Sequence, residues 1–569
     1  MIRMIDRPSL VFAGLLAAAS CLTPPAARAD SAGGMLKDFV PPPMSYGRGM
    51  FFKSHPDAYT QFLAKLAHRP ADVSAEDGPS HGGPWQGAPR APVAGLCNPI
   101  LLTDGTVIVA NGDTPDWYKL TPDINGDYAH GTWSQIASLP VINGTQYAPL
   151  YHATGVLPDG RVVIMGGEYD GTNYGVWTNQ GAIYDPVANS WTPVPAPLGS
   201  GWNQIGDAQS TMLADGTFML ASCCGYPDVD AMLNPNRLDW YATGAPRNAG
   251  AYQDEQGYEL LPNGKVLTID IWTTYPNGNP SNAELYDPKS GRWISAGDTP
   301  VSLVDPEQCG NYEIGPAVVR GDGTVVAFGG NTGCVTGATN DPTAIYNTKT
   351  NSWTAGPYVP AVCGTDSATS CSLADAPAAL LPDGRVLFAA SSGYGSAPTH
   401  FFEYSSSNSI TQVPDTLFWS KESGAYYYNF LVLPTGQIFT TDFSKTAEIY
   451  TPAGAPVASW APIVLQAPTN VAPGGSYTIV GEQLSGRSQG AFYGDDAQMG
   501  TNFPIVRIVN AASGHVFYAR TFNISTMSVG EKVVGSTRFT VPSAVETGTS
   551  TLYVVADGIA SAPIKVEVQ

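Results

Sequence analysis

Apolar and polar positions alternate along this chain in short runs, and glycine turns punctuate the runs at near-regular intervals. Thr103-Asp104-Gly105 is followed by Pro158-Asp159-Gly160, Ala214-Asp215-Gly216, Pro262-Asn263-Gly264, Gly321-Asp322-Gly323, Pro382-Asp383-Gly384 and Pro434-Thr435-Gly436, with the glycines 48 to 61 residues apart. Asp-Gly and Asn-Gly tolerate positive φ and close tight hairpins, so each recurrence predicts a pair of antiparallel strands. Gly155-Val156-Leu157 before the second turn and Arg161-Val162-Val163-Ile164-Met165 after it show the pattern. A further element closes several units: Ala182-Ile183-Tyr184-Asp185-Pro186 ahead of Trp191, Ala283-Glu284-Leu285-Tyr286-Asp287-Pro288 ahead of Trp293, and Ala344-Ile345-Tyr346 ahead of Trp353. Each unit therefore predicts about four short strands, with aromatic residues packed between neighbouring units.

Repeats of this length and pattern are kelch-type blades, and a lone blade cannot cover its own faces. Seven turns predict an all-β fold, a seven-bladed kelch-type β-propeller over residues 91–460. After Trp460 the texture changes to short alternating strands (Pro462-Ile463-Val464-Leu465, Tyr477-Thr478-Ile479-Val480-Gly481), which predict an immunoglobulin-like β-sandwich over 461–569. Residues 30–90 form a Pro-rich extension, in which Ser54 and Pro56 could open one helix running to about His68.

Composition narrows the function classes. The 62 Gly and 48 Pro argue against extended helices, and a hydrophobic content of 43% with 12 Trp, 28 Tyr and 19 Phe argues against global disorder. A net charge of −21 excludes a nucleic-acid phosphate partner as the expectation. Arg3 and Arg7 precede an apolar run from Leu10 to Leu22 that ends near Ala27-Arg28-Ala29, the layout of a cleaved signal peptide over residues 1–29. The expected location is secreted or periplasmic, and no segment offers the 18 or so apolar residues of a transmembrane helix. An oxidising compartment favours pairing of cysteines; Cys309 with Cys334 and Cys363 with Cys371 are the local candidates, vicinal Cys223–Cys224 is a third, and Cys97 is then the odd one.

With these residues in place, the chain resembles the galactose oxidase and glyoxal oxidase family of copper-radical enzymes over about 91–569. Those enzymes pair a seven-bladed kelch propeller with a C-terminal early-set sandwich. The resemblance implies a thioether between Cys97, in Gly95-Leu96-Cys97-Asn98-Pro99, and Tyr151, in Leu150-Tyr151-His152-Ala153-Thr154. It implies Tyr151 and Tyr426 as copper ligands, Cys97, Tyr151 and Tyr426 as the catalytic set, and Tyr169 as the ring over the thioether. The pattern departs from the family at two places: Tyr427 and Gln498 stand where the family has histidines. Copper(II) is held mainly by imidazole, so the expected site is poor in copper.

The same register brings other residues to one mouth of the channel. Six to nine residues before each turn lie Asp207, Asp254, Glu255, Tyr312, Glu313 and Asp375, beside His152, Tyr426 and Tyr427. Crowded carboxylates raise one another's pKa, which suits general acid and base work on glycosidic bonds, and aromatic faces suit sugar rings. Three functions follow as alternatives. One is a copper-poor relative that binds extracellular carbohydrate at the mouth. The second is a copper-radical oxidase of a sugar alcohol or a small alcohol or aldehyde. The third is a hydrolase or lyase using the acidic mouth, with His152 or Tyr151 as base. Oxygen-rich donors of this kind would favour calcium over copper. His55, His68, His81, His130 and His400 show no metal-ligand spacing, and His515 lies on a later segment than the family's ligand loop.

Overall fold

Hairpins form where the sequence places a residue that can adopt positive φ. In a computed structural model of the protein all seven turn glycines do so, with φ of 78° at Gly105, 86° at Gly160, 85° at Gly216, 81° at Gly264, 87° at Gly323, 89° at Gly384 and 83° at Gly436. The structure describes residues 83–171, 175–197, 202–223, 230–244, 256–271, 282–304, 313–330, 341–360, 363, 371–392, 397–493 and 499–569. Each turn glycine donates its N–H to the carbonyl three residues back, from Leu102 in the first turn to Leu433 in the last. The preceding Asp or Asn accepts the N–H two residues on, as Asp104 does from Thr106, Asp159 from Arg161 and Asn263 from Lys265. The side chain thus takes over a backbone donor that the hairpin leaves unpaired.

Around these turns seven antiparallel sheets form the blades of a propeller. Blade one is Leu96–Leu101, Val107–Asn111, Trp117–Thr121 and Thr132–Gln135; blade two is Ala153–Val156, Val162–Met165, Gly181–Asp185 and Ser190–Pro193. Blades three to five begin at Ser210–Met212, Glu259–Leu260 and Ala317–Val319, and blade six at Pro377–Leu380. Blade seven holds Asn429–Val432, Ile438–Thr441 and Glu448–Tyr450, and its outermost strand is Trp85–Gly87 from the other end of the chain, with Trp85 opposite Tyr450. The ring is therefore closed by residues that precede the stretch assigned to it by repeat spacing.

One tryptophan per outer strand ties most blades to the one before. The indole Nε1 of Trp133 donates to Pro89 O, Trp191 to Ala137 O, Trp240 to Pro195 O and Trp353 to Ala296 O, all between 2.7 and 3.1 Å. Trp85 plays the same part in blade seven, reaching Pro414 O behind blade six. The aromatic residues expected between units do pack there, and the tie explains why tryptophan in particular recurs: it fills the gap between sheets and satisfies a backbone carbonyl.

Beyond 460 the strands form a second assembly. Ile463–Gln466, Ser476–Glu482 and Val534–Thr540 pair in one sheet, and Ile505–Asn510, Gly548–Ala556 and Ile564–Val568 in another. Val516–Phe522 serves both, pairing with Ile505–Asn510 through residues 516–519 and with Val534–Thr540 through residues 520–522. Ile479, Val506, Ile508, Phe539, Leu552, Val554 and Val566 from both sheets share one apolar core. This assembly sits on the end of the propeller where the turns are. Arg520 Nη2 donates to Asp159 O, Thr521 N to Thr103 O, Met527 N to Ala214 O and Arg487 Nη2 to Gly321 O.

From there a strand enters the channel. Ala491–Tyr493 pairs with the inner strand of blade six, Ala491 opposite Ala379 and Tyr493 opposite Pro377. Just before it, Gln489 Oε1 accepts Leu260 N of blade four at 2.7 Å, and its Nε2 donates to Thr211 Oγ1 of blade three at 2.7 Å. The C-terminal part thus reaches three blades from inside the ring.

Candidate functional site

Inner strands run toward the turns, so their first residues gather at the opposite end of the channel, and the described residues among those singled out by sequence stand at or just ahead of those first residues. Cys97 is in the first strand of blade one, at a bulge that follows it, and Asn98 has φ of 46°. Cys97 is a buried thiol outside any disulfide. Tyr151 sits between two short pairings: Pro149–Leu150 with Tyr169–Asp170, and Ala153–Val156 with Val162–Met165. Its φ is 53°, a conformation uncommon for a bulky residue and one that interrupts the alternation of an extended strand between Leu150 and Ala153. The pairing of Tyr169 with Leu150 brings the Tyr169 ring edge-on to Tyr151, centroids 6.4 Å apart.

Blade seven supplies two further phenols. Tyr426 and Tyr427 lie on a single helical turn, Ala425–Tyr427, with ring centroids 4.1 Å apart. Phe443, on the same blade, packs on both sides: its ring is 5.8 Å from Tyr427 and 6.3 Å from Tyr151. Gly112 explains how the sulfur joins this group. A Cβ placed on Gly112 would lie 2.9 Å from Cys97 Sγ, 3.0 Å from Leu150 Cδ1 and 3.3 Å from Phe443 Cε1, so these three converge on a spot that only glycine leaves open.

His152 is buried beside Trp117, with centroids 5.9 Å apart. Asn98 Nδ2 donates to its Nε2 at 3.4 Å, which leaves Nδ1 carrying the proton toward Thr154 Oγ1 at 3.1 Å. Burial pushes its pKa down to about 4, so at neutral pH it is an uncharged packing residue.

The carboxylates stand on the other blades. Asp207, Glu313 and Asp375 are all buried, and the N–H of Asp375 donates to Ile314 O, which brings together the segments just ahead of the inner strands of blades five and six. Asp254, Glu255, Tyr312 and Gln498 lie outside the described residues. Glu259 on blade four and Glu168 beside Tyr169 are buried acids that the sequence reading did not name. Burial raises the pKa of Glu259 well above the usual carboxylate range. Tyr151 and Tyr169 of blade two and Tyr426 and Tyr427 of blade seven supply the phenols, while Asp207, Glu313 and Asp375 stand just ahead of the inner strands of blades three, five and six.

Phe443 and Gly112 were also missed. The sequence reading counted back from each turn; counting forward seven residues from Gly105 and from Gly436 lands on Gly112 and Phe443. The hairpin folds that position back against the strand before the turn, so the signal was there in the register.

The expected Cys363–Cys371 disulfide is present, and Cys223 is also disulfide-bonded. Cys224, Cys309 and Cys334 lie outside the described residues, as do the 1–29 leader and the helix expected near 54–68. Among the described residues no helix is long and apolar enough to cross a membrane.

Among the described residues, the copper donors this end offers are phenols, carboxylates, a thiol and His152, whose ring nitrogens both face protein partners. Among the described residues no group of three or more His, Cys, Asp or Glu is arranged to hold a metal ion. Such a set does not fit copper(II), which takes imidazole nitrogen in a tetragonal arrangement.

No family model matches the chain. Over 101 residues it is 33% identical to the Kelch-like protein terF of Aspergillus terreus (strain NIH 2624 / FGSC A1156), a match covering 17% of this chain and 20% of that protein. The chain therefore spans about a fifth of the curated relative it matches. Among solved structures it is similar to a fungal alcohol oxidase of the AA5 family in complex with copper, at 14% identity and a TM-score of 0.47, covering 86% of this chain and 99% of that one. It is also similar to the extracellular domain of a hybrid two-component system protein from B. thetaiotaomicron, at 10% identity and a TM-score of 0.41, covering 84% and 57%. The described residues form a seven-bladed β-propeller followed by a C-terminal β-sheet assembly.

Proposed function

We propose that this is a secreted propeller that binds extracellular carbohydrate at the mouth formed by Tyr151, Tyr426, Tyr427, Asp207, Glu313 and Asp375, without a copper-radical centre. The observation that carries the reading is the donor set. Phenol faces and carboxylates, drawn from several blades, match the apolar faces and hydroxyl edges of a sugar, whereas His152 at this end is held neutral by burial. The burial of these groups favours a single sugar residue or a small alcohol or aldehyde over a long chain lying along an open groove. A disulfide at Cys363–Cys371 and the signal-like leader support an oxidising, extracellular location.

A second reading, the copper-radical oxidase, is favoured by one observation: Cys97 Sγ and Leu150, the neighbour of Tyr151, meet at Gly112. Calorimetric titration with sugars, set against metal content and peroxide release, separates the two. Binding that is retained in chelator, with no peroxide from galactose or aldehydes, supports the first. Stoichiometric copper, a radical absorption band and a mass lower by two hydrogens overturn it.

A further inference from the structure

Phe443 is strained and yet held firmly. Its φ is 60°, in a region that bulky side chains rarely adopt unless the surroundings enforce it. The enforcement is visible: Phe443 N donates to Leu96 O and Gly95 N donates to Phe443 O, both at 3.0 Å, so the backbone is stapled on either side to the residues leading into Cys97. On its own segment Asp442 is tied to Ser444, whose N–H and hydroxyl both donate to Asp442 Oδ1. The ring that results contacts Tyr151, Tyr427 and the spot on Gly112 where Cys97 Sγ lies.

We propose that Phe443 is the positioning residue of this mouth: its ring fixes Tyr151 and Tyr427 relative to one another and closes Cys97 off from water. Strain sustained by two main-chain bonds is retained where it sets a geometry, and here the geometry set is that of the two phenols. The consequence is chemical as well as structural. A thiolate reacts with external reagents only when water and reagent reach it, so the ring decides whether Cys97 is an inert core thiol or a reactive one.

The proposal deepens the reading of this end as a binding site, but its test needs no ligand and no metal, so the two can fail separately. The full chain, prepared without added copper, is treated with iodoacetamide under non-reducing conditions, which leaves disulfide cysteines unlabelled, and the peptide carrying Cys97 is followed by mass spectrometry. Denatured protein sets the rate of an open thiol. The expected result is a protected Cys97 in the native protein, at least about tenfold faster labelling in Phe443→Ala, and a rate within about twofold of the starting protein in Phe443→Leu, which keeps an apolar plug. Benzene, which fills dry apolar cavities left by truncated side chains, should slow labelling of Phe443→Ala again. That rescue would not follow from general loosening of the fold. Equal labelling of all forms overturns the proposal, and so does fast labelling of Phe443→Ala that benzene leaves unchanged. If the alanine variant does not fold, Phe443→Val carries the same comparison.

Discussion

The two ends of the propeller are built by opposite means. At the turn end the same device is repeated seven times: a glycine at positive φ, in six of the turns after an Asp or Asn that caps the following N–H. There the chain leaves the special conformation to glycine, and the C-terminal sheets lie on the result. At the mouth positive φ is also taken by residues with side chains, Asn98, Tyr151, Asp375 and Phe443, and for the two bulky aromatics among them the conformation is uncommon. Carboxylates at the turn end make hydrogen bonds near the surface, while those at the mouth are buried in the ring. Repetition marks the end that holds the fold together; irregular backbone and buried polar groups mark the end proposed here to bind a ligand.

This contrast can be broken by substitution, beginning with the closure of the ring. Trp85→Ala should destabilise the protein by about 3–5 kcal/mol, because Trp85 is buried against Phe401 and Tyr450, with centroids 5.0 and 4.9 Å away, and carries the tie to Pro414. Urea unfolding reads this, and a loss below about 1 kcal/mol would mean that the outermost strand of blade seven is dispensable. Gly105→Val should cost roughly 3 kcal/mol, since φ is 78° and the added Cβ would lie 2.6 Å from Tyr518 Cγ of the C-terminal part. The same method applies, and exposure of Tyr518 on separation of the two parts should accompany the loss.

Acid should push the two ends in opposite directions. Asp557, buried under the C-terminal sheets, accepts the N–H groups of Arg487 and Ser488 on the segment that leads into the channel, and burial raises its pKa to about 7. A raised folded pKa means stability is present in full below the unfolded value near 3.8 and is lost as pH rises through 7. Asp557→Asn should therefore remove that slope and leave the variant more stable than the parent above pH 7, by about 1–2 kcal/mol. His152 at the mouth has the reverse sign. Its folded pKa of about 4 lies below the unfolded 6.5, so its contribution is present above 6.5 and is lost as pH falls toward 4. His152→Gln should flatten that acid limb; unfolding midpoints measured across the range decide both cases.

The smallest expected effect on stability sharpens the contrast most. Tyr151→Phe removes one hydroxyl at the mouth and should cost under about 1 kcal/mol of stability, while sugar affinity falls at least about tenfold. A variant that binds as well as the parent would remove Tyr151 from the site.

The repeat, the number of blades and the tryptophan positions were legible because each is encoded within one unit of chain: a turn Asp or Asn two positions before the N–H that donates to it, an aromatic a fixed distance from a Tyr-Asp or Tyr-Asn turn. Cys97, Tyr151, Asp207, Glu313 and Asp375 could be placed at one end for the same reason, by counting from the turns. Phe443 and Gly112 required the count to be run in the other direction. Trp85–Gly87 and Ala491–Tyr493 could not be placed by any count, since their partners, Glu448–Tyr450 and Pro377–Leu380, lie hundreds and more than a hundred residues away.

The sequence by itself thus determined the blades, because hairpins are closed by local φ preference and capped by adjacent side chains. Only the tertiary structure decided how the ring is closed, which segment threads it, and that Phe443 is the ring on which Tyr151 and Tyr427 meet. Strand edges offer the same N–H and C=O groups whatever the sequence. Their partners are therefore chosen by packing and chain closure across the whole molecule and leave no local mark.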